Sequence, residues 1–478
     1  MRKTRIVCTL GPATGTRSTL ERLVRGGMDV ARLNMSHGSQ TEHRNYLRAL
    51  RSVSRKLNIP VAVLLDLQGI KIRISEVAEG GIVLEKGREV MLRSGRRTSR
   101  EDTLYVSYGA LVRDVRAGHR VLLDDGRVEL TVIGSRGNAL VARVKEGGYL
   151  TSHKGVNLPD SPITARPYTR KDQKDLRFGI REGVDAVALS FVTREGDVSL
   201  VRRRLREMGS NIPIIAKIEK PAAVDRIEAI LDVSDGIMVA RGDLGVELSP
   251  SAVPLIQKDL IRRANRKQRT VITATQMLES MVDSPVPTRA EAADVANAVL
   301  DGSDAVMLSG ETAIGRYPVR TVRMMARIIE EVEGKGAPFE ARSAVPEPVE
   351  GAAFDRTSFA VADAAVHAAV DVHARCIVAF TRSGYTAGLL AKFRPQVPII
   401  AFTPDPAVIN RMKLYRGVIP IYMRRLNSTD TLIAEVERAL LQRRQAGRGD
   451  IVIVTASLPL NSIAKTNFLK VHRMSTGS

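Results

Sequence analysis

Eight short apolar runs recur along the chain, and each ends on polar or charged residues. They are Arg5–Gly11, Val30–Ser36, Val61–Leu67, Ala186–Val192, Ile214–Glu219, Gly236–Gly242, Thr270–Gln276 and Ala305–Thr312. Runs this short and this uniformly apolar read as strands buried on both faces, as in parallel sheets. Helical periodicity fills most of the intervals, for example Ser18–Gly26, Glu42–Leu57 and Ala290–Leu300. Eight β-α units over about 250 residues, once one insertion is set aside, predict a (β/α)8 TIM barrel. A doubly wound sheet is the competing architecture. The count of eight favours the barrel, as do the repeated polar endings, because barrel chemistry gathers where the strands end. Those endings are Arg32, Asn34 and Ser36; Asp66; Ser190; Lys217 and Glu219; Asp243; Thr275; and Ser309 with Glu311.

The alternation breaks after the third run. From about Gly69 to Arg166 the pattern has period two and is punctuated by turns such as Glu79-Gly-Gly81, Asp124-Asp-Gly126 and Arg136-Gly-Asn138. This predicts a small inserted β domain, placed where it would overhang the barrel mouth as a lid. Near Gly334–Gly351 the composition shifts to Pro, Gly and Glu, as in a linker. Beyond it a new α/β pattern begins: helix Ser358–Val370, strand Cys376–Thr381, helix Thr386–Phe393, and strands Pro398–Thr403 and Ile451–Thr455. The expected organisation is a catalytic barrel at 1–68 and 166–333, a β-barrel lid at 69–165, and a C-terminal α/β regulatory domain at 334–478.

With 478 residues, 44% of them hydrophobic, the chain has enough material for several domains with a large core. No apolar run is long enough to span a membrane, and the N-terminus lacks the pattern of a signal peptide. Cys8 and Cys376 lie far apart in apolar surroundings, so they are expected to be buried thiols, in keeping with a cytoplasmic location. The net charge of +21 admits either nucleic acid or small anionic substrates. The densest basic runs, Arg202–Arg206 and Arg262–Arg269, fall in helix-like stretches and read as solvated faces. With 4% aromatic residues and no Trp, a base-stacking platform is disfavoured.

Two segments carry the clearest chemistry. Ile214–Val224 and Gly236–Gly245 begin as buried strands and then turn abruptly to charge: Lys217 and Glu219 in the first, Arg241 and Asp243 in the second. A buried strand carries charge only where the charge is paired or binds an ion. Glu219 and Asp243 offer hard oxygen ligands suited to Mg²⁺, and Lys217 adds a fixed positive charge. These are the parts needed to move a phosphoryl group.

The motifs then form an ordered set: Ala31–Gly38, Leu65–Gly69, Lys154–Pro159, Ile215–Glu219, Met238–Gly245, Ala274–Ser280, Pro287–Glu291 and Met307–Thr312. Together they resemble the pyruvate kinase family, from Ile6 to the C-terminal strands. The resemblance implies Mg²⁺-dependent phosphoryl transfer from phosphoenolpyruvate to ADP, giving pyruvate and ATP, with Mn²⁺ as an alternative metal. It implies Glu219 and Asp243 as metal ligands and Lys217, Arg32 and Thr275 as catalytic residues. Arg32, Gly242, Asp243, Thr275 and Ser190 fall at substrate contacts, and Arg73, Lys154, Asn34 and His37 at nucleotide contacts. His37 also reads as a plain loop or helix-cap residue, and Asp124-Asp-Gly126 as a plain hairpin turn. The donor of the proton that converts enolate to pyruvate stays open.

One departure from the family pattern stands out. Many members need K⁺, and in those a Glu follows an Asp-Thr-Lys-Gly-Pro sequence after the third strand. Here the segment is Asp66-Leu-Gln-Gly-Ile-Lys-Ile-Arg73, so Lys71 occupies the Glu position, Leu67 replaces a Thr and Ile70 a Pro. With Asn34, Ser36 and Asp66 retained, the expectation is that the Lys71 ammonium substitutes for K⁺, as in the potassium-independent branch that this segment resembles. The C-terminal loop Thr381-Arg382-Ser383-Gly384-Tyr385-Thr386 could cradle a phosphorylated effector at a helix start, although Leu458–Asn467 lacks the Gly-rich pattern of relatives regulated by sugar bisphosphate. The resemblance also implies a homotetramer, with Pro287–Glu291 at a subunit contact. Two other readings stay open: a nucleic-acid-binding or scaffolding relative without catalysis, and a barrel lyase acting on a phosphoenolpyruvate-like substrate.

Overall fold

In the computed structural model, which describes residues 2–78, 80–335, 355–425, 428–459 and 465–476, the eight apolar runs close into one parallel barrel. Its strands are Arg5–Thr9, Val30–Asn34, Ala62–Asp66, Ala186–Leu189, Ile214–Ile218, Gly236–Ala240, Thr270–Ala274 and Ala305–Leu308. Each pairs with its neighbours in sequence, and the first closes on the eighth with Arg5 opposite Ala305. Alternate residues of each strand point inward and outward. The inward set, including Val7, Leu64, Ile215, Met238 and Ile272, fills the barrel, and the outward set packs under the helices.

The helices start where local chemistry dictates. Ser39 with Glu42, Thr169 with Asp172 and Thr288 with Glu291 form reciprocal capping boxes ahead of Gln40–Leu57, Arg170–Arg181 and Arg289–Leu300. The basic runs lie on helices Glu195–Glu207 and Val253–Arg266. Arg202 pairs there with Asp235, Arg204 with Glu207, and Arg262 and Arg263 with Asp259.

The insertion after the third strand is a curled six-stranded sheet with its own apolar core, beside a two-stranded ladder. Its two edges are stitched by single bridges from the entering chain, Arg73 to Gly155 and Ile74 to Val106. That stitching puts Arg73 next to Lys154, so the chain's entry into this sheet and its exit present two cations side by side.

The C-terminal unit is a five-stranded sheet ordered Val418–Tyr422, Ile399–Thr403, Cys376–Phe380, Ile451–Ala456, Phe468–Arg473, the last strand antiparallel. It sits against the N-terminal end of the barrel, where Leu414 joins the barrel's interior cluster and Tyr415 packs on it. Charges ring this junction. Asp29 accepts from Arg2, Arg5 and Lys413 at 2.6, 3.1 and 2.8 Å, and Lys392 pairs with Asp304. Helix Pro318–Lys335 runs into the stretch read as a linker, of which 336–354 lie outside the described residues. Cys8 and Cys376 are both free and buried.

Candidate active site

The polar strand endings meet at the C-terminal mouth of the barrel. Arg32, on the second strand, reaches Asp66 at the end of the third (Nε to Oδ2 2.7 Å) and Thr9 on the first (2.9 Å). Lys217, on the fifth strand, donates to Ser190 Oγ at 2.8 Å and lies 2.8 Å from Glu219 and 3.4 Å from Asp66. The Ser190 hydroxyl in turn donates to the Leu67 carbonyl at 2.7 Å. Arg32, Asp66, Lys217 and Glu219 therefore form one alternating chain of charges, nearly sealed from solvent. Burial alone would lower the Lys217 pKa, but Asp66 and Glu219 outweigh it and hold the ammonium well above the ordinary lysine value. Burial likewise opposes the Asp66 carboxylate, which Lys217 and Arg32 keep below its usual value.

Glu219 is 1% exposed, and its second oxygen accepts the Phe191 N–H at 2.6 Å. That amide points at the carboxylate because Phe191 takes a positive φ of 56°, an unusual conformation for a bulky residue. Asp243 lies in the first turn of the short helix Arg241–Glu247. Its pKa is pushed up to about 6 by burial and by the adjacent Glu219 charge. Two carboxylates that repel each other this way fit a divalent cation between them. Among the described residues no group of three or more His, Cys, Asp or Glu side chains could hold a metal. Such an ion would take its other ligands from substrate and water, as Mg²⁺ commonly does.

Thr275 has a φ of 69° and Gln276 one of 53°, strained values for non-glycine residues. Arg241 holds this turn, donating to the Thr275 carbonyl at 2.6 Å while pairing with Asp294 at 2.7 Å. The Thr275 hydroxyl accepts the Gly242 N–H at 2.8 Å. These two substrate candidates thus satisfy each other here, and a substrate carboxylate would have to displace that bond.

Lys71, Arg73, Lys154 and Asp243 line a cleft of about 540 Å³ between the inserted sheet and the barrel. Arg73 is tied to the His153 carbonyl at 2.7 Å and Lys154 to Asp124 at 2.8 Å. Among the described residues Lys71 makes no hydrogen bond or ion pair. Its pKa is lowered by burial and by the charges of Arg73 and Lys217, against the pull of Asp243 and Asp66. His37 is exposed at the same mouth, its pKa lowered by burial and by Lys71, Arg73 and Arg32. The Asn34 side chain accepts the Ser36 N–H at 3.1 Å, shaping the loop after the second strand.

The loop Thr381–Thr386 is not part of this mouth; it belongs to the unit docked on the opposite end of the barrel. Thr381 Oγ1 accepts the Gly384 N–H at 2.9 Å, and Gly384 takes a φ of 87° ahead of helix Tyr385–Lys392. In the companion loop Leu458–Asn467, residues 460–464 lie outside the described residues.

Sequence reasoning did not single out Thr9, Phe191 or the anchoring role of Arg241. Arg241 was legible as a charge at a strand end. Thr9 reads as an ordinary strand threonine, and a positive φ at Phe191 leaves no compositional trace.

Comparison with known proteins gives this geometry a lineage. Residues 1–322 match the family model of the pyruvate kinase barrel domain and 359–472 that of the pyruvate kinase alpha/beta domain. A pyruvate kinase of Sporosarcina psychrophila is 43% identical over 476 residues, 99% of this chain and 80% of the relative. One from Staphylococcus aureus (strain MRSA252) is 42% identical over 474 residues, with the same coverage. Among solved structures, a pyruvate kinase from Cryptosporidium parvum superposes with a TM-score of 0.91 at 35% identity, covering 99% of this chain and 96% of that one. A buried lysine between paired carboxylates at the mouth of such a barrel is thus met in a chain that belongs to the pyruvate kinase family, phosphotransferases that pass a phosphoryl group from phosphoenolpyruvate to ADP.

Proposed function

We propose that this reaction runs at the cluster around Lys217, with the sequence-derived residues in the following roles. The observation that carries the reading is Lys217 itself, an ammonium fixed by contacts to Ser190, Glu219 and Asp66. Held so, it meets the charge on a transferring phosphoryl group without reorganising. Arg32, locked by Asp66 and Thr9, presents a guanidinium to phosphate oxygens. Thr275 and the Gly242 amide receive the substrate carboxylate, and Ser190, bonded to Lys217, is a further substrate contact. Glu219 and Asp243 would hold Mg²⁺ or Mn²⁺, which would supply charge neutralisation for the substrate's oxygens. Arg73 and Lys154 take the nucleotide phosphates in the cleft, with Asn34 and His37 at its rim, and the inserted sheet acts as their lid. Purified protein given phosphoenolpyruvate, ADP and Mg²⁺ without K⁺ should form pyruvate and ATP in equal amounts. Consumption of phosphoenolpyruvate that needs no ADP and forms no pyruvate would favour a lyase.

The family generally uses Mg²⁺ and often K⁺. We read Lys71 as the built-in monovalent charge, beside Asn34, Ser36 and Asp66. Its support is the unpaired, half-buried ammonium within the fields of Asp66 and Asp243. Turnover in a bulky ammonium salt should equal that in KCl, and Lys71→Glu should create a K⁺ requirement. Strong K⁺ activation of the parent chain would overturn the assignment.

A homotetramer, a phosphorylated effector at Thr381–Thr386 and a cytoplasmic setting go with this reading. The helix-opening Thr288, Arg289 and Ala290 are exposed, as a subunit contact requires. Sedimentation velocity tests the assembly.

A further inference from the structure

Glu247 ends the helix that Arg241 and Asp243 begin, and its carboxylate is 1% exposed. One oxygen, Oε1, accepts from two sides. Lys220, one residue beyond Glu219, pairs with it from the barrel. Asn157, in the chain returning from the inserted sheet, donates its Nδ2 at 2.7 Å. The other oxygen, Oε2, is buried and has no hydrogen-bond partner among the described residues. Folding alone gives little reason for this arrangement. A buried, half-satisfied carboxylate is costly, and negative charge at the C-terminal end of a helix opposes the helix dipole. The Asp124-Asp-Gly126 turn of the lid also lies near this helix, close enough that a Cβ added at Gly126 would come 3.9 Å from the Val246 side chain.

We propose that Glu247 is the catch that sets the lid over the barrel mouth, gripping Asn157 while Lys220 supplies its counter-charge. It is a positioning residue. Because one short helix carries Asp243 at one end and the catch at the other, the lid cations Arg73 and Lys154 are registered against the metal carboxylate through a single rigid element. The inference rests on the reading that nucleotide binds between lid and barrel.

The test uses the full chain, spin-labelled at Glu85→Cys on the lid and Glu330→Cys on the barrel, since Cys8 and Cys376 are buried. Asn157→Ala and Asn157→Asp should each broaden the lid-to-barrel distance distribution. Each should also raise KM for ADP about tenfold, the scale of one hydrogen bond to a charged group, while KM for phosphoenolpyruvate holds. Asn157→Gln keeps an amide donor for the Glu247 Oε1 that Lys220 also shares, and should hold both readouts closer to the parent than Asn157→Ala. An unchanged distribution in Asn157→Ala, or an Asn157→Gln no narrower than Asn157→Ala, would overturn the catch. A parent chain without turnover would instead sink the nucleotide reading, and the distances would still decide the catch.

Discussion

Lys217→Met should lower turnover by about 10³–10⁵ while the protein stays folded, by comparison with other cations that serve phosphoryl transfer. The size follows from the arrangement. The ammonium is already desolvated and oriented, so all of its interaction with a developing negative charge is available to the transition state. Glu219 loses its ion-pair partner, so some stability goes with it, but the fold should survive because Asp66 keeps Arg32 at 2.7 Å and Glu219 keeps the Phe191 N–H. Steady-state kinetics beside a circular dichroism melt separate the two effects. A loss of tenfold or less with an intact melt would remove Lys217 from the chemistry.

The largest effect on stability is expected at Asp29, far from the mouth. This carboxylate is 3% exposed and faces Arg2, Arg5 and Lys413. Removing one partner of a buried ion pair typically costs about 3–5 kcal/mol, because the opposite charge stays buried and unmatched. Asp29→Ala should lower the urea midpoint accordingly. The pH dependence has a definite sign. Burial would raise the Asp29 pKa, but Arg2, Lys413 and Arg5 hold it well below the ordinary aspartate value. Its stabilisation is therefore complete above the unfolded value of about 3.9 and lost as pH falls through the folded value. The gap between parent and variant should be full near neutrality and shrink in acid. A gap that widened in acid would contradict the network.

The barrel was legible because eight buried strands need eight apolar runs, and because a polar residue ending such a run has few explanations. That logic located Arg32, Asp66, Lys217, Glu219, Asp243 and Thr275 from residue type alone. The inserted sheet was equally readable through its period-two pattern. Other features depend on contacts remote in sequence. Strand Val418–Tyr422 carries Pro420 and has only two buried residues. Strand Phe468–Arg473 is an exposed edge without a buried stripe. Neither shows the signature by which central strands announce themselves. The grip of Arg241 on the Thr275 turn and of Asn157 on Glu247 joins elements 34 and 90 residues apart. Arg241 and Thr275 could be picked out singly as polar strand endings but not as partners, and nothing in the sequence marked Asn157 as a partner of Glu247.

The seating of Leu414 and Tyr415 against the barrel's inner apolar cluster bears on how this chain can vary over time. The family models divide the sequence into separate blocks, yet the cavity wall is not complete within the first block. The C-terminal unit acts as a cork, and its fit is judged by residues from all around the barrel floor, with Arg5 bonded to the Tyr415 carbonyl at 2.8 Å. Exchange of that unit between relatives would transplant a stopper cut for another bottle. The two blocks therefore lean on each other at the floor of the barrel, while the chemistry stays at its mouth.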